Sequence, residues 1–325
     1  MQVHAGLTGP YPRPEALIQA TRDLDRGRTN AEAVEALFRT TEQEVVALER
    51  RLGFDHVTAG FLRWPDLFRP FAETWEGLAV GPLTRWLETN TFFRQPILLA
   101  PPGRSERAFA ARLPPPLLTQ PHSARLILPG PYTFASVLDN RSGETDEAVI
   151  HRLGRMLADE VRELRGAGFA SFLFSEPLLV VRPPEGPRAE AVLAGYRAIQ
   201  TAVNGGTSTV WTYGADARPA FPLLDRLPVS SVGIDLAETD VERLPEGPPS
   251  SGLGLGVVDP RTTLGEDAVE VARVVRAAYE RRRPASVSLG PGGPLDLLPW
   301  EPATRKLHLL PAARQLLTQS NGGGR

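Results

Sequence analysis

The stretch ASFLFSEP, residues Ala170 to Pro177, is a short apolar run that ends in a carboxylate and a proline. Near-continuous apolar runs of this length are typical of strands in a parallel sheet that is covered on both faces. Similar runs occur along the whole chain, at Val3 to Gly9, His56 to Leu62, Arg125 to Pro131, Thr207 to Gly214, Ser230 to Leu236, Gly252 to Val258 and Ala285 to Pro291. The sequence therefore predicts eight buried strands.

Helical patterns lie between most of the predicted strands. Asn30 is a good N-cap, apolar residues then recur on one face up to Leu52, and Gly53 supplies a stop. Asp146 to Leu164 repeats this pattern, and so does Glu266 to Arg282, which has acids in its first turn and arginines in its last. Strands and helices that alternate in this way predict an α/β protein, a closed (β/α)8 TIM barrel. A doubly wound open sheet is the structural alternative.

The length of 325 residues fits a single barrel domain over residues 1–325. The segment from Phe61 to Ala124 is too long for one crossover, so we expect an insertion between strands two and three, at about residues 64–124. Within it, Trp86 to Leu99 is a candidate hairpin at the mouth of the barrel. Residues 321–325 are expected to form a disordered tail.

Composition excludes several kinds of site. The chain has no cysteine, which excludes disulfides, thiolate nucleophiles and cysteine-bound zinc. The five histidines share no short ligand spacing, so we predict no metal site, although a carboxylate-and-histidine site at His4 or His56 stays open. A net charge of -2 gives no general attraction to nucleic acid or to an anionic membrane. No apolar run approaches the roughly 20 residues of a membrane span, and the N-terminus lacks a signal-peptide layout, so a cytoplasmic protein is expected.

The active site of a (β/α)8 barrel lies at the carboxyl ends of its strands. The predicted strands place there the candidate site residues Tyr11, Arg13, Arg63, Tyr132, Thr133, Glu176, Trp211, Tyr213, Asp235 and Arg261. Glu176 is the candidate catalytic residue, because a carboxylate that points into the mouth from a buried strand should have a shifted pKa or a specific partner. The others are candidate substrate-binding residues. The alternatives are that Asp235 caps the following helix, that Tyr132 and Trp211 pack at the rim, and that Arg13 pairs with a surface acid.

Short motifs follow one another along the chain in a definite order. They lie at Gly9 to Pro14, Arg85 to Asn90, Leu128 to Thr133, Gly168 to Pro177, Thr212-Tyr213, Leu227 to Val229 with Ile234 to Leu236, and Leu255 to Asp259. Together they make the chain resemble the cobalamin-independent methionine synthase family. That family is built from two related (β/α)8 barrels: the C-terminal one binds zinc and homocysteine, and methylated pteroylglutamate lies at the mouth between them. The chain is one barrel only, and it is more similar to the zinc-free N-terminal barrel.

The chain departs from the family at the residues that hold zinc and the amino acid. Where the family's catalytic barrel has His-x-Cys after strand five, this chain has Val210 to Thr212, and its second cysteine is replaced around Pro291 to Gly293. The serine of the opening motif is Pro10, and the first acid of Asp-Glu-Pro is Ser175. We therefore expect a member without thiolate-bound zinc.

The resemblance implies a methyltransferase that moves a methyl group from a methylated pterin such as methyltetrahydrofolate, or from a corrinoid such as methylcobalamin, to a thiol such as homocysteine. A thiol has a pKa of about 8.5, so without zinc it needs a base, a cationic pocket or a more reactive donor. Glu176 is the candidate base, and Arg13, Arg63 and Arg261 are the candidate cations. The alternative is a non-catalytic barrel that binds a pterin or a second protein subunit. A porphyrinogen decarboxylase of the same superfamily is a third possibility, but its arginine-rich opening segment is not found.

Overall fold

The computed structural model describes residues 1–104, 109–247 and 252–319. The strands are β1 (Gln2–Ala5), β2 (Trp75–Arg85), β3 (Phe92–Arg104), β4 (Arg125–Pro129), β5 (Asp139–Asn140), β6 (Ser171–Ser175), β7 (Thr207–Trp211), β8 (Ser231–Asp235), β9 (Gly252–Val258) and β10 (Ser286–Pro291). The helices are α1 (Glu15–Asp25), α2 (Ala31–Arg51), α3 (Arg69–Thr74), α4 (Pro115–Thr119), α5 (Pro131–Val137), α6 (Asp146–Gly166), α7 (Leu178–Val181), α8 (Gly186–Val203), α9 (Phe221–Leu224), α10 (Ala268–Arg282), α11 (Trp300–Leu307) and α12 (Leu309–Gln319). The tail expected at residues 321–325 lies outside the described residues.

Among the described residues, seven strands form one curled parallel sheet in the order β1-β10-β9-β8-β7-β6-β4. Each of these strands lies within or overlaps one of the apolar runs, and helices cover the sheet, as the α/β prediction requires. The helix starts follow local signals: the Asn30 side chain accepts a hydrogen bond from the backbone N of Ala33 at 2.8 Å and caps α2. No helix in these ranges combines the length and the apolar character that a membrane crossing requires.

The prediction of a second strand at His56 to Leu62 is wrong. In the structure this run contains one isolated parallel bridge, between Val57 and Ala124, followed by a 3-10 turn at Ala59–Phe61. The φ angles of Ala59, Gly60 and Phe61 are 52°, 68° and 53°, which is left-handed backbone that a strand cannot contain. The run is apolar because its side chains are buried, and burial alone does not distinguish a strand from a buried turn.

The buried carboxylate of Glu49, on α2, holds this unusual turn in place. It accepts hydrogen bonds from the backbone N of Thr58 at 2.9 Å, from Thr58 Oγ1 at 2.6 Å and from the backbone N of Ala59 at 3.3 Å. Burial raises the pKa of Glu49 to about 7, although these hydrogen bonds oppose the rise. Left-handed backbone costs non-glycine residues energy, so the turn depends on such tertiary contacts.

The residues just before this turn still connect the two edges of the seven-stranded sheet. The backbone N of Asp55 donates to the carbonyl of Ala5, at the end of β1, at 3.1 Å. The backbone N of Val57 donates to the carbonyl of Ser123 at 2.9 Å, and Val57 accepts from the backbone N of Arg125, in β4, at 2.9 Å. One irregular segment therefore lies between the edge strands.

A β-hairpin follows this segment and lies outside the parallel sheet. Strands β2 and β3 pair antiparallel, and β5 adds to β3 in parallel. The expected hairpin at Trp86 to Leu99 contains the observed turn, where the backbone N of Trp86 donates to the carbonyl of Thr91 at 2.9 Å, but both strands extend well beyond it. The ring of Phe68 packs against Phe93 of the hairpin at 5.4 Å and against Phe134 of α5 at 5.5 Å. These aromatic contacts attach the hairpin to α5, which follows β4 of the parallel sheet.

Candidate functional site

Two adjoining cavities lie beyond the carboxyl ends of β1 and β10, and the inner one also touches the hairpin. The inner cavity, of about 80 Å³, extends to the ends of β6 and β7 and is lined by Gly9, Pro10, Trp64, Pro65, Asp66, Leu67, Phe68, Trp86, Thr91, Phe92, Phe93, Ser175, Tyr213, Pro294 and Asp296. The outer cleft, of about 710 Å³, is lined by Pro10, Tyr11, Pro12, Arg13, Pro14, Glu15, Ile18, Phe61, Leu62, Trp64, Pro65, Asp296, Leu298, Pro299, Trp300, Glu301 and Pro302. This is the end of a barrel-like sheet at which substrates bind.

Asp296 belongs to the walls of both cavities. It lies in the 3-10 turn Leu295–Leu297 after β10. Asp296 is exposed as a residue, but its carboxyl faces the turn and the cavity walls, and the partial desolvation there raises the pKa of Asp296 to about 6. The positive charge of Arg13 opposes the rise. Within the described ranges, no salt bridge or side-chain hydrogen bond joins Asp296 to another residue, so its carboxylate is available to a ligand.

Asp296 is not among the residues predicted from the sequence, although the sequence contains a signal for it. The predicted strand eight ends at Pro291, and the next acid along the chain is Asp296. The glycines and prolines between them indicate a tight turn, which brings a residue several positions beyond the strand back to the mouth. Acids within one such turn of a strand end belong among the candidates.

Arg13 supplies the positive charge of the outer cleft. Its Nε donates to the carbonyl of Leu62 at 2.7 Å, and Nη2 donates to the carbonyl of Trp64 at 3.4 Å. Its guanidinium also lies 5.6 Å from the centre of the Phe38 ring. Burial lowers the pKa of Arg13. The alternative of a surface ion pair is not seen in the described part of the chain, so the charge of Arg13 has no carboxylate in contact.

Tyr11 and Tyr213 line the two cavities. The hydroxyl of Tyr11 shares a hydrogen bond of 2.6 Å with Thr304 Oγ1, and its ring meets Trp300 edge-on at 5.0 Å. Burial raises the pKa of Tyr11 to about 12 and also raises that of Tyr213. Both phenols therefore stay neutral near pH 7 and can act as hydrogen-bond donors.

The expectation that Glu176 points into the mouth is wrong. Its carboxylate is fully buried and accepts from the backbone N of Tyr132 at 3.0 Å, the backbone N of Thr133 at 2.7 Å and the hydroxyl of Tyr196 at 3.0 Å. A methyl group on Gly130 would lie 2.1 Å from the Glu176 side chain, so glycine is required there. Glu176 thus caps the amino end of α5, and burial raises its pKa to about 7.

Tyr132 and Thr133 belong to this cap rather than to either cavity. Thr133 is fully buried, and its Oγ1 accepts from the backbone N of Leu178 at 3.2 Å. The hydroxyl of Tyr132 donates to the carbonyl of Arg182 at 2.7 Å. Glu176 therefore sits in a network that joins α5 to α7 and α8, and its contacts favour a positioning role.

Trp211 fills the interior of the curled sheet. It is 1% exposed, and its Nε1 donates to the carbonyl of Gly292 at 3.1 Å. Methyl groups on Gly233 and Gly254 would lie 2.1 and 2.4 Å from its ring, so the strands leave room for the indole only by carrying glycine. Trp211 therefore packs in the interior of the sheet rather than at its rim.

The remaining candidate residues are engaged by neighbouring groups. Arg63 forms hydrogen-bonded ion pairs with Glu35 and Glu42, its Nη1 and Nε lying 2.6 and 2.8 Å from their carboxylates. Arg261 pairs with Glu238 and Asp259. Asp235 is buried and accepts from the backbone N of Ala237 at 3.0 Å, while burial raises its pKa. The structure thus brings Tyr11, Arg13 and Tyr213 together around the cavities, but not Arg63, Asp235, Glu176 or Arg261.

The residues present do not fit a zinc ion. The chain has no cysteine, and within residues 1–104, 109–247 and 252–319 no group of three histidines or acids is close enough to share a metal. His4 Nδ1 pairs with Asp55 at 2.9 Å, and burial lowers the pKa of His56 to about 4. His56 precedes Val57, which pairs at the amino end of β4, whereas the two cavities lie at carboxyl ends of strands.

A known family and several known proteins are similar to this chain. The family model described as the N-terminal domain of cobalamin-independent synthase matches residues 76–282. The methionine synthase of Sulfolobus acidocaldarius is 25% identical over 313 residues, which cover 93% of this chain and 88% of that protein. The methionine synthase of Saccharolobus solfataricus is also 25% identical, over 93% of this chain and 90% of its own length.

Solved structures share the fold at lower sequence identity. A B12-independent methionine synthase from Shewanella, solved with selenomethionine, superposes with a TM-score of 0.76 at 17% identity and covers 98% of both chains. A methyltransferase from Methanosarcina mazei gives a TM-score of 0.61 at 11% identity, over 99% of this chain and 95% of that one. At these identities the likeness establishes a TIM-barrel-like fold and nothing about the site.

Proposed function

Because the chain belongs to the cobalamin-independent methionine synthase family, we propose that it transfers a methyl group from a methylated pterin or a corrinoid to a thiol such as homocysteine, without thiolate-bound zinc. Family membership supports methyl transfer to homocysteine. The donor and the independence from zinc are the parts that go beyond it.

The open cleft at the carboxyl ends of the strands is the observation that carries this proposal. Its volume of about 710 Å³ lies within the range of small-molecule sites, and its wall is largely apolar, with several prolines and the aromatic side chains of Tyr11, Trp64 and Trp300. Arg13 and Asp296 place opposite charges there, and neither has an ion-pair partner among the described residues. A substrate with charged and planar parts matches this lining.

Thiol activation must come from the protein or the donor, since the donor set for zinc is missing. An adjacent carboxylate can take the thiol proton, and a nearby cation favours the thiolate. Asp296, which lines both cavities, is the carboxylate in place for the first task, while Arg13 lines only the outer cleft and supplies its positive charge to an anionic group of a substrate. Glu176 was the expected base, but its oxygens are occupied by α5 and Tyr196, so we propose that it only positions the mouth.

The test is methionine formation by the purified protein from homocysteine and either methyltetrahydrofolate or methylcobalamin. Arg13→Gln removes the unpaired charge, and Arg162→Gln is the matched control because Arg162 is an exposed residue on α6. We expect wild type and Arg162→Gln to make methionine with one donor, and Arg13→Gln to lose at least about tenfold in kcat/KM. Equal activity of all three would exclude the cleft as the site.

The second candidate function is a binding barrel that holds a pterin, or a partner subunit, without turning it over. The missing zinc ligands favour it, because the family resemblance places zinc with the thiol acceptor. Stabilisation by methyltetrahydrofolate together with no methionine from either donor would select this function.

We also propose that the chain is one (β/α)8 barrel domain over residues 1–325. In this arrangement the segment around Val57 takes the place of the second strand, since it hydrogen-bonds to both edge strands. The region at about residues 64–124, with its hairpin, is then the insertion between strands two and three.

A further inference from the structure

The inner cavity and the outer cleft share a wall but differ about ninefold in volume, at about 80 and about 710 Å³. We infer that they divide the two substrates: the inner cavity takes the thiol side chain of the acceptor, the outer cleft takes the flat N-methylated ring of a pterin donor, and Asp296 carries the proton between them. This inference rests on the proposed function and specifies its site.

Volume decides which substrate goes where. Drug-sized ligands occupy pockets of about 300 Å³ or more, so a fused ring system with its side chain exceeds the inner cavity and fits the outer cleft. A short aliphatic chain that ends in sulfur is small enough for the inner cavity. The hairpin covers this cavity through Trp86 and Phe93, so the acceptor end would be shielded from water.

The linings agree with this division. The inner cavity is walled by Phe68, Trp86 and Phe93, and aromatic rings make favourable contacts with sulfur. The outer cleft has Tyr11 and Trp300 on its wall, whose rings can pack against a flat heterocycle. Arg13, on the same wall, would pair with an anionic tail on the donor.

Asp296 is placed to move a proton because it lines both compartments. Its carboxylate takes the proton from the thiol in the inner cavity, and the sulfur electron pair forms the new bond to the methyl carbon. The bond between that carbon and the ring nitrogen breaks, and its electron pair stays on the nitrogen. The carboxyl of Asp296 then gives the proton to this nitrogen. In sum, the methyl group and one proton change places, and nothing is oxidised or reduced.

The environment of Asp296 suits this task. Desolvation raises its pKa to about 6, near the range in which a carboxyl both accepts and releases a proton at neutral pH. The other titratable groups around it are Asp66 and Tyr213 in the inner cavity, and Arg13, Glu15 and Glu301 in the outer cleft. Of these, Arg13 lowers the pKa of Asp296 and thereby keeps it from rising further.

The assignment of the outer cleft to the pterin donor is tested by methyltetrahydrofolate binding, measured by calorimetry. The proteins compared are wild type, Trp300→Leu and the surface control Asp159→Asn. We expect Trp300→Leu to weaken pterin binding about tenfold and Asp159→Asn to leave it unchanged, because Asp159 is exposed on α6. Circular dichroism and unfolding of each variant establish that it is folded. Wild-type affinity in folded Trp300→Leu, or no pterin binding by wild type, would overturn the assignment of the outer cleft.

The proton role is tested by turnover across pH 5 to 9. Asp296→Asn should bind the pterin within about threefold of wild type but lose about 100-fold in kcat, since acid-base groups contribute this much. Asp296→Glu should recover part of the rate, and the wild-type rate should fall at acid pH with a midpoint near 6, a fall that Asp296→Asn lacks. A wild-type rate and pH profile in Asp296→Asn would overturn the proton role while leaving the proposed function intact. If wild type binds the pterin but makes no methionine, the proposed function and the proton role both fail, and the Trp300→Leu comparison still decides the donor site.

Discussion

Replacing Glu176 by glutamine separates a structural carboxylate from a catalytic one. Glutamine keeps the size of the side chain but offers one acceptor oxygen, so its amide group must face one of the donors now bonded to Glu176. A buried donor left without a partner costs about 1–3 kcal/mol. We therefore expect Glu176→Gln to fold with a free energy of unfolding lower by that amount at pH 7.

The pH dependence of this loss follows from the raised pKa of Glu176. Burial moves it from an ordinary value of 4.5 to about 7, so the folded protein holds this proton more tightly than the unfolded chain. The resulting stabilisation is fully present below pH 4.5 and is lost as the pH rises through about 7. A difference of about 2.5 in pKa corresponds to about 3 kcal/mol, and glutamine, which does not titrate, lacks this dependence.

The assay is urea unfolding of wild type and Glu176→Gln at pH 5, 6, 7 and 8. The wild-type advantage should shrink by up to about 3 kcal/mol over this range. Glu190→Gln, an exposed site on the same helix as Tyr196, is the control and should follow wild type within about 0.5 kcal/mol. Parallel pH curves for wild type and Glu176→Gln would refute the burial argument. Unchanged stability with lost methyl transfer would return Glu176 to the role of base.

Three further changes test the packing, the one buried lysine and the helix cap. Gly254→Ala should lower the free energy of unfolding by about 1–3 kcal/mol, because its methyl group meets the ring of Trp211. Trp211→Phe in the same chain should recover part of this loss, and an equal cost of Gly254→Ala with Trp211 or Phe at that position would contradict the contact. Lys306→Met leaves Glu266 without its ion-pair partner and should lower the free energy of unfolding in urea by about 3–5 kcal/mol. A decrease below about 1 kcal/mol would show that the ion pair is dispensable. Asn30→Ala removes the cap of α2 and should cost about 1 kcal/mol, while Asn30→Gly should cost less; thermal unfolding that ranks them the other way would count against the cap.

Local signals predicted α2, α6 and α10, because a cap and an amphipathic face depend only on residues close in sequence, whereas α1, α8, α11 and α12 were not predicted. The one shifted start shows the limit of this logic. The pattern placed the helix from Glu266, but α10 begins at Ala268, where the Asp267 side chain accepts from the backbone N of Val269 and Glu270. Glu266 instead accepts from the backbone N of Asp259 and from Lys306, a residue far along the chain.

The turn that replaces the predicted second strand also depends on a residue outside the apolar run. Its apolar residues are buried as a strand would be, and the sequence of Ala59 to Phe61 contains one glycine where the backbone is left-handed three times in a row. What selects the turn is the carboxylate of Glu49, which reaches in from α2. A buried acid on a helix, at a position that the helical pattern assigns to the core, is the signal to look for.

The sequence predicted where the site lies but not which charged side chains line it. Parallel strands end at one mouth, so the sequence indicates which residues lie near it, but it does not indicate which charges are neutralised there. Arg63 and Arg261 are each paired with two acids, and Glu176 is occupied by a helix end. Desolvation disfavours the charged forms of Arg13 and Asp296, and neither has a contacting ion-pair partner among the described residues. The two opposite charges attract each other only across the cleft, so the fold keeps them without contacting partners at a cost, and groups of this kind concentrate at functional sites. A ligand with a negative group for Arg13 and a positive group for Asp296 would recover that cost on binding. We therefore expect the substrate in the cleft between these two residues rather than at the ends of the other strands.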